Sequence, residues 1–502
     1  MPKSPGGALL SGFNVERNSP VPIYRQLDAS LRRLILQGSL SAGEKLPSTR
    51  ELSQELGVSR ITVKSVYEQL VAEGYAQAKT GAGTFVSEGL DIEAVPKIKR
   101  RRRKIQIPDI EISDRSRSIM SSNANARYGK TEPFRPGVPA LDLFPVKTWN
   151  KYLMDAMTCK HRHHLSYGQL NGNSDLRTSI AKHLSDARGM QVDPTQVIIT
   201  SGAQQAFSLI AFVLLNQGDT VWYENPGHIA GRDVMQIMGA NIAPVPVDSE
   251  GLDIKFAIEN YPKPAIIFST PSHQQPLGTT MSLIRRLTLL NYAQENDAWI
   301  IEDDYDSEFR YRGRPLPALS ALDGEHRVFY VGTFSKSMFA AIRIGYVVVP
   351  PGLIDTFAQA ANLLGHGASA VVEQALSRFM DDGRFVEHIR KMRRVYRDRR
   401  DILFECLTDS CKDSLDPQTT DSGMHIVAWL KNGLEDQVAH NALLEAGIES
   451  LPLSVYCIKP WDRAGIVLGF SCAQEQRIPD LVRRVSEVLK NLADELSPYP
   501  RS

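Results

Sequence analysis

Val331-Gly332-Thr333-Phe334-Ser335-Lys336-Ser337, followed by Arg343-Ile344-Gly345, is the stretch on which the reading of this chain turns. An apolar run delivers a lysine among small hydroxyl side chains, with an arginine seven positions on. A site that holds an aldehyde cofactor needs these groups. Lys336 supplies the amine for a Schiff base, and Thr333, Ser335 and Arg343 supply hydroxyls and a guanidinium for a phosphate.

Outward from Lys336, short apolar strands alternate with amphipathic helices from Glu132 onward. Strands are expected at Val197-Thr200, Thr220-Tyr223, Ala265-Ser269, Ala298-Glu302, Val328-Gly332 and Gly345-Val349. This alternation predicts an α/β domain with a largely parallel central sheet. Ligands in such sheets bind beyond the C-terminal strand ends, and the polar residues cluster there. Thr200-Ser201-Gly202-Ala203-Gln204-Gln205 opens a helix after a strand, so its N–H groups can cradle a phosphate. Glu224-Asn225-Pro226-Gly227-His228 follows the next strand, and Ser269-Thr270-Pro271-Ser272-His273-Gln274 another. Glu302-Asp303-Asp304-Tyr305-Asp306 ends the strand before that of Lys336. These carboxylates could ligate a divalent cation. A carboxylate at a strand end near a lysine is better explained as the partner of a pyridinium nitrogen. His161, His163 and His164, close to Cys159, read as a solvated basic helix end or loop, so no metal site is expected.

The first hundred residues have a different grammar. Ile23, Leu27, Leu31, Leu34 and Ile35 recur at helical spacing and Gly38 closes the stretch. In Leu46-Pro47-Ser48-Thr49-Arg50-Glu51, Ser48 and Glu51 form a capping box, and the helix they open ends at Gly57. Ser59 caps another helix with Val63, Val66, Tyr67 and Leu70 on one face. Helix, glycine-containing turn and helix predict a helix-turn-helix. Its second helix leaves Arg60, Thr62, Lys64 and Ser65 near the end that meets bases and phosphates. Tyr75 to Val86, turning at Lys79-Thr80-Gly81-Ala82-Gly83, reads as a two-stranded wing whose tip could lie on a phosphate backbone. Gly81-Ala82-Gly83 lacks the third glycine and the following helix of a dinucleotide fingerprint.

The bulk numbers agree with two kinds of unit. Residues 1–104 hold 17 Lys/Arg against 10 Asp/Glu, a net +7, within a chain of +1 overall. A basic start on an acidic body puts nucleic acid at one end. We expect a tail at 1–18, a DNA-binding domain at 19–87, a basic linker at 88–131 and an effector domain at 132–502. The effector domain should end in a smaller subdomain at about 360–499. Lys97 and Lys99 to Lys104 make the linker basic; either it adds phosphate contacts or it is a solvated tether, salt-bridged or not to the acidic body. Five cysteines without a CxxC pair suggest reduced thiols and a cytoplasmic location. The start of the chain does not read as a signal peptide, and no segment approaches a membrane span.

Three resemblances follow from these residues. Leu46-Pro47-Ser48-Thr49-Arg50-Glu51-Leu52, Gly57-Val58-Ser59-Arg60-Ile61-Thr62-Val63 and Gly81-Ala82-Gly83-Thr84-Phe85-Val86 resemble the GntR family of winged helix-turn-helix regulators. The resemblance implies operator double-stranded DNA as partner, contacted by Arg50, Arg60, Thr62 and the wing glycines Gly81 and Gly83. Ser48, Thr49, Ser59, Lys64 and Lys79 complete the candidate DNA-contacting set. Phe134 to Leu496 resembles the fold-type I pyridoxal-phosphate enzymes of the aspartate aminotransferase superfamily. That implies pyridoxal 5'-phosphate as cofactor, with Lys336 as the Schiff-base residue, Asp303 (or Asp304) facing the ring nitrogen and Tyr305 the ring hydroxyl. Ala203, Gln204, Thr333, Ser335 and Arg343 would hold the phosphate, and His228 and His273 would line the ring. Ser166-Tyr167-Gly168 matches a segment whose tyrosine reaches the neighbouring subunit's phosphate, which implies a homodimer through Tyr167. Together the halves resemble the MocR subfamily of GntR regulators. Its members sense pyridoxal phosphate, or an amine or amino acid reacting with it, often as head-to-tail dimers with exchanged DNA-binding domains.

Two positions depart from the aminotransferase pattern. His228 stands where relatives carry an aromatic ring stacked on the pyridine. Val467, in Gly465-Ile466-Val467-Leu468-Gly469-Phe470-Ser471, stands where they carry the arginine for the substrate carboxylate, and an apolar side chain cannot replace that clamp. Arg232 and Arg463 are the candidate substitutes. The expected function is therefore a pyridoxal-phosphate-dependent transcription regulator whose Lys336 is the receptor for an amine effector. An aminotransferase with an accessory DNA-binding domain is the alternative.

Overall fold

The computed structural model describes residues 16–17, 19–88, 113, 133–158, 169–313, 316–365 and 367–496. They belong to two compact units, residues 1–110 and 111–502. The basic run 97–104, Cys159, the histidines at 161, 163 and 164, and Tyr167 lie outside the described residues.

In the first unit, helix α1 (Ile23–Leu36) buries Leu27, Leu31 and Ile35, the stripe that helical spacing dictates. Helix α2 (Thr49–Leu56) opens at Ser48, whose hydroxyl accepts from Glu51 N at 3.2 Å while Ser48 N donates to the Glu51 carboxylate at 2.9 Å. This reciprocal pair satisfies two donors that a helix start otherwise leaves orphaned. Gly57 ends α2 at φ 61°, in the left-handed region, and lets the chain turn at once into helix α3 (Arg60–Ala72). Val63, Val66, Tyr67 and Leu70 face inward from α3, and the Tyr67 hydroxyl donates to Pro47 O at 2.9 Å. Strands β1 (Ala76–Lys79) and β2 (Gly83–Val86) pair antiparallel as a wing. Leu46 N donates to Thr84 O and Val86 N to Glu44 O, each at 2.8 Å, which fastens the wing to the helices. This is the winged helix-turn-helix expected from the sequence.

The second unit is built on β3 (Val197–Thr200), β4 (Thr220–Asn225), β5 (Asn241–Asp248), β6 (Gly251–Leu252), β7 (Ile266–Ser269), β8 (Trp299–Asp304), β9 (Val328–Thr333) and β10 (Gly345–Val348). Their order in one sheet is β3-β10-β9-β8-β7-β4-β5-β6. Strands β9, β8, β7, β4 and β5 run parallel. Strand β10 lies antiparallel between β3 and β9. The eleven residues between Thr333 and Gly345 are too few for the crossover that a parallel neighbour needs. Side chains alternate between two cores. Val221, Tyr223, Ile266, Phe268 and Ile301 enter one, while Trp222, Ile267 and Ile300 enter the other. Burial on both faces is what an α/β sheet with helical layers requires.

A second, antiparallel sheet follows near the C-terminus: β11 (Leu415–Pro417), β12 (His425–Leu430), β13 (Leu451–Pro452) and β14 (Gly465–Gly469), in the order β11-β12-β14-β13. The segment 133–139 joins it from far upstream. Gly469 N donates to Phe134 O at 2.7 Å and Glu449 N to Pro133 O at 3.0 Å. A Cβ at Gly469 would stand 2.3 Å from Arg135 O, so only glycine admits this approach.

The end of β8 is fixed from below by a buried ion pair. Arg188, the last residue of the helix Ser174–Arg188, meets Asp304 at 2.8 Å, with both side chains almost fully enclosed. Tyr330 donates to Asp304 at 2.6 Å, and Arg188 donates to Ser272 Oγ and Leu316 O, each at 2.6 Å. Burial is the largest single effect and opposes the Arg188 charge, but Asp304, Tyr330 and Glu302 together outweigh it and hold the guanidinium above its ordinary range. Two residues back on the same face, Glu302 accepts from Leu319 N and Ser320 N, each at 2.8 Å. Removing one partner of a buried pair strands the other charge. Asp304→Asn should therefore lower unfolding stability by about 3–5 kcal/mol, read from urea unfolding of the full chain; a change within the error of the extrapolation would contradict this account.

Candidate functional site

Because β4, β7, β8 and β9 are parallel, and β3 shares their direction through β10, their C-terminal ends form one edge. Register places the parts. Gly345 pairs with Thr200 on one side and Thr333 on the other, and Asp304 pairs with Gly332. The turn Ser201–Gly202, the residues after Thr333 and the approach to Gly345 through Arg343 are thus neighbours.

Lys336 sits on the short helix Phe334–Ser337 that leaves β9, with Thr333 Oγ1 accepting from Ser335 N at 3.2 Å. Its Nζ donates to Gly137 O at 2.7 Å. Gly137 has φ 73°, and a Cβ there would stand 2.6 Å from Nζ. Across the edge, Gly202 adopts φ 111° and ψ 170° and opens the helix Ala203–Leu214. The first N–H groups of a helix lack intrahelical acceptors, so Ala203 and Gln204 present donors and a positive dipole end. A Cβ at Gly345 would lie 2.8 Å from Gly202 Cα, so β10 begins directly against this turn. Arg343 is exposed and left-handed at φ 52°.

Asp303 and Asp304 are successive residues of a strand, so their side chains take opposite faces. Asp304 belongs to the Arg188 pair. Asp303, 2% exposed, lies 3.4 Å from His228 Nδ1. The His228 ring stacks on Phe268 with 6.3 Å between centroids and meets Phe207 edge-on. Tyr305 OH is 2.9 Å from His273 Nδ1, which is also 3.1 Å from both Asp306 oxygens. Burial, then the Asp306 charge, pushes the Tyr305 phenol well above its ordinary range.

The walls are braced by residues that the sequence reading left without a role. Glu224 accepts from Ser269 Oγ and Thr270 Oγ1, each at 2.6 Å, from Thr270 N at 2.9 Å and from Gln274 Nε2 at 3.0 Å. Burial raises its pKa; the four donors oppose that rise. Asn225 Oδ1 accepts from Ile458 N at 2.6 Å and Lys459 N at 3.1 Å, and Gly227 N donates to Tyr456 O at 3.0 Å. Arg232 joins this clamp, donating to Val455 O and Cys457 O at 3.3 Å. Arg463 donates to Asp416 at 2.6 Å and covers the Trp429 ring. Both guanidiniums offered as carboxylate ligands are thus engaged elsewhere. Val467 is fully buried with Ile229, Val427 and Tyr456. Gly137, Glu224 and Arg188 carried no local signal, because their partners lie far away in sequence.

In the first unit, the expected contact residues lie at the starts of α2 and α3 and on the wing. Ser48 and Ser59 are occupied as caps. Arg50, Arg60 and Lys64 are exposed, with Arg60 Nε donating to Thr49 Oγ1 at 3.3 Å and Lys64 3.5 Å from Glu68. Thr62 Oγ1 is 2.8 Å from Ser59 Oγ. Gly81 and Gly83 adopt φ 77° and 114° at the wing turn, and Lys79 lies over the Phe85 ring at 5.0 Å.

Comparison with known proteins agrees with both units. Residues 23–86 match the model of bacterial regulatory proteins of the gntR family, and residues 138–467 that of aminotransferase class I and II. A probable rhizopine catabolism regulatory protein, MocR, of Rhizobium meliloti is 37% identical over 91% of this chain and 92% of its own. The pyridoxine biosynthesis transcriptional regulator PdxR of Corynebacterium glutamicum is 32% identical over 94% of this chain and 97% of its own.

The chain belongs to the MocR subfamily of GntR transcription regulators.

The effector unit of this MocR-type regulator also resembles a kynurenine aminotransferase of Pyrococcus horikoshii, solved with PMP, at TM-score 0.67 and 28% identity over 78% of this chain and 96% of that one. Its fold is that of the pyridoxal 5'-phosphate aminotransferases. The donor set fits this cofactor: an amine at Lys336, a buried carboxylate at Asp303, and N–H, hydroxyl and guanidinium groups for a phosphate. Among the described residues no helix is long and apolar enough to cross a membrane.

Behind His273, His425 opens β12 with its Nε2–H donating to Pro276 O at 2.8 Å. Burial, reinforced by His273, pushes His425 down to about 4. In the unfolded chain a histidine titrates near ~6.5. Between these values the unfolded state binds the extra proton, so stability falls as pH drops from about 6.5 to about 4. His425→Gln should remove on the order of 3 kcal/mol of that acid-side loss, measured as urea unfolding across this window; parallel curves for the two proteins would refute it.

Proposed function

We propose that this MocR-type regulator is a pyridoxal-phosphate-dependent switch that couples an amine-type effector to operator binding. The carrying observation is the convergence on one sheet edge of Lys336, Asp303, Arg343 and the Ala203–Gln204 helix start, in a chain that also has a winged helix-turn-helix. Bound pyridoxal phosphate supplies an electrophilic aldehyde carbon. Lys336 Nζ is the amine that holds it, and Asp303 is the carboxylate that keeps a ring nitrogen protonated. Thr333, Ser335, Arg343 and the helix start would hold the phosphate, Tyr305, oriented by His273, would bond the ring hydroxyl, and His228 would line the ring.

An effector amine competes for the position of Lys336. It can shift the protein between two DNA-binding states only by interacting differently with them. The relatives' names link such proteins to rhizopine catabolism and to pyridoxine biosynthesis, so the effector is an amine or amino acid, or the cofactor itself. The buried Val467, with Arg232 and Arg463 engaged elsewhere, favours an effector not held by a bidentate carboxylate clamp. DNA binding is assigned to residues 19–87 and effector binding to 132–502. The working assembly is a cytoplasmic homodimer in which Tyr167 completes the neighbouring site.

The same apolar position weighs against an aminotransferase with an accessory DNA-binding domain. Lys336→Ala should abolish the visible absorbance that pyridoxal phosphate acquires on a lysine, together with any effector-dependent change in operator affinity. Effector-free DNA binding should survive. Spectral titration with a panel of amines and amino acids, run beside operator-binding assays, reads both. Sustained turnover with a keto acid and unaltered operator binding would establish the enzyme reading instead.

A further inference from the structure

The DNA-facing end of α3 carries an apolar side chain that packing does not explain. Ile61 is 79% exposed, the most exposed large apolar side chain among the described residues of its unit; Tyr24 follows at 47% and Val21 at 46%. It is the second residue of α3 and stands between Arg60 and Thr62. At 100° per residue, Ile61 shares a face with Lys64, Ser65 and Glu68, all exposed, directly opposite buried Val63, Val66 and Leu70. It therefore points straight away from the core. Arg60 and Lys64, exposed cations, flank it on α3; Arg50 is exposed on α2 next to Thr49, which accepts from Arg60, and Glu68 lies a turn further along and pairs with Lys64.

A β-branched residue at such a site is not chosen for helix propensity or for solubility. Its χ1 is nearly fixed in a helix, so its methyl groups are presented rigidly and little entropy is lost when they are covered. In the major groove the apolar feature on a base edge is the C5-methyl of thymine, and residues at the start of a recognition helix are those that reach base edges. We propose that Ile61 is a specificity-determining residue that reads a thymine methyl in each operator half-site, with Arg50, Arg60 and Lys64 binding the flanking phosphates and bases. This rests on the operator-binding reading above. Charge complementarity and continuity with the α3 contact surface favour DNA over a protein partner here.

The test uses the full chain and duplexes enriched by it from a random-sequence pool. Each thymine of the enriched site is replaced by deoxyuridine, which removes the methyl and nothing else. For the wild type, a single such replacement in one half-site should weaken binding about fourfold, the worth of one methyl taken out of water. Ile61→Ala, which keeps the fold because the side chain is exposed, should bind the thymine and uracil duplexes equally. The proposal fails if no thymine shows this coupling, or if Ile61→Ala still distinguishes the two bases as the wild type does. Failure to enrich any site would remove the operator-binding reading, and this proposal with it.

Discussion

Two adjacent carboxylates at the end of β8 must serve opposite faces of the sheet, and the effector unit is arranged around that constraint. Asp304 looks down into the scaffold, where Arg188, Tyr330 and Ser272 draw a helix, a neighbouring strand and a loop onto one point. Asp303 looks up toward the imidazole of His228. A buried ion pair is weak evidence for net stability, because desolvation offsets much of the attraction. Its value here is positional: it fixes the height and direction of the strand end that carries Asp303.

The sheet edge carries groups that fit pyridoxal 5'-phosphate, in a chain of the MocR regulator subfamily. The groups that fit the cofactor converge as they would for catalysis. Val467, a branched apolar side chain, is packed on Ile229, Val427 and Tyr456. The aminotransferase fold is joined in one chain to a winged helix-turn-helix.

Much of this was legible in the sequence because it depends on local rules. The capping box at Ser48, the glycine stop at Gly57 and the Val63–Leu70 stripe are spacings of three to seven residues, and each appears where expected. The strands leading to Asp303 and Lys336 are apolar runs bounded by polar turns, and they too are read directly. What the sequence hid is pairing across distance. That Lys336 leans on Gly137, that Glu224 gathers the turn after β7, and that Arg232 is tied to carbonyls more than two hundred residues away are facts of tertiary packing. The sequence favoured Asp303 over Asp304 for the ring nitrogen, but the pairing of Asp304 with Arg188, more than a hundred residues away, could not be read there. The reversal of β10 was available from loop length alone, through the shortness of its connection.

The clamp around Asn225, Gly227 and Arg232 gives His228 two masters. The segment leaves the central sheet at β4, yet its backbone and side chains are laced to the turn at residues 455–459 beside the antiparallel sheet. The segment that carries His228 thus has its origin on one sheet and its anchors beside the other. The position of the imidazole is therefore set jointly by two sheets rather than by the strand that carries it.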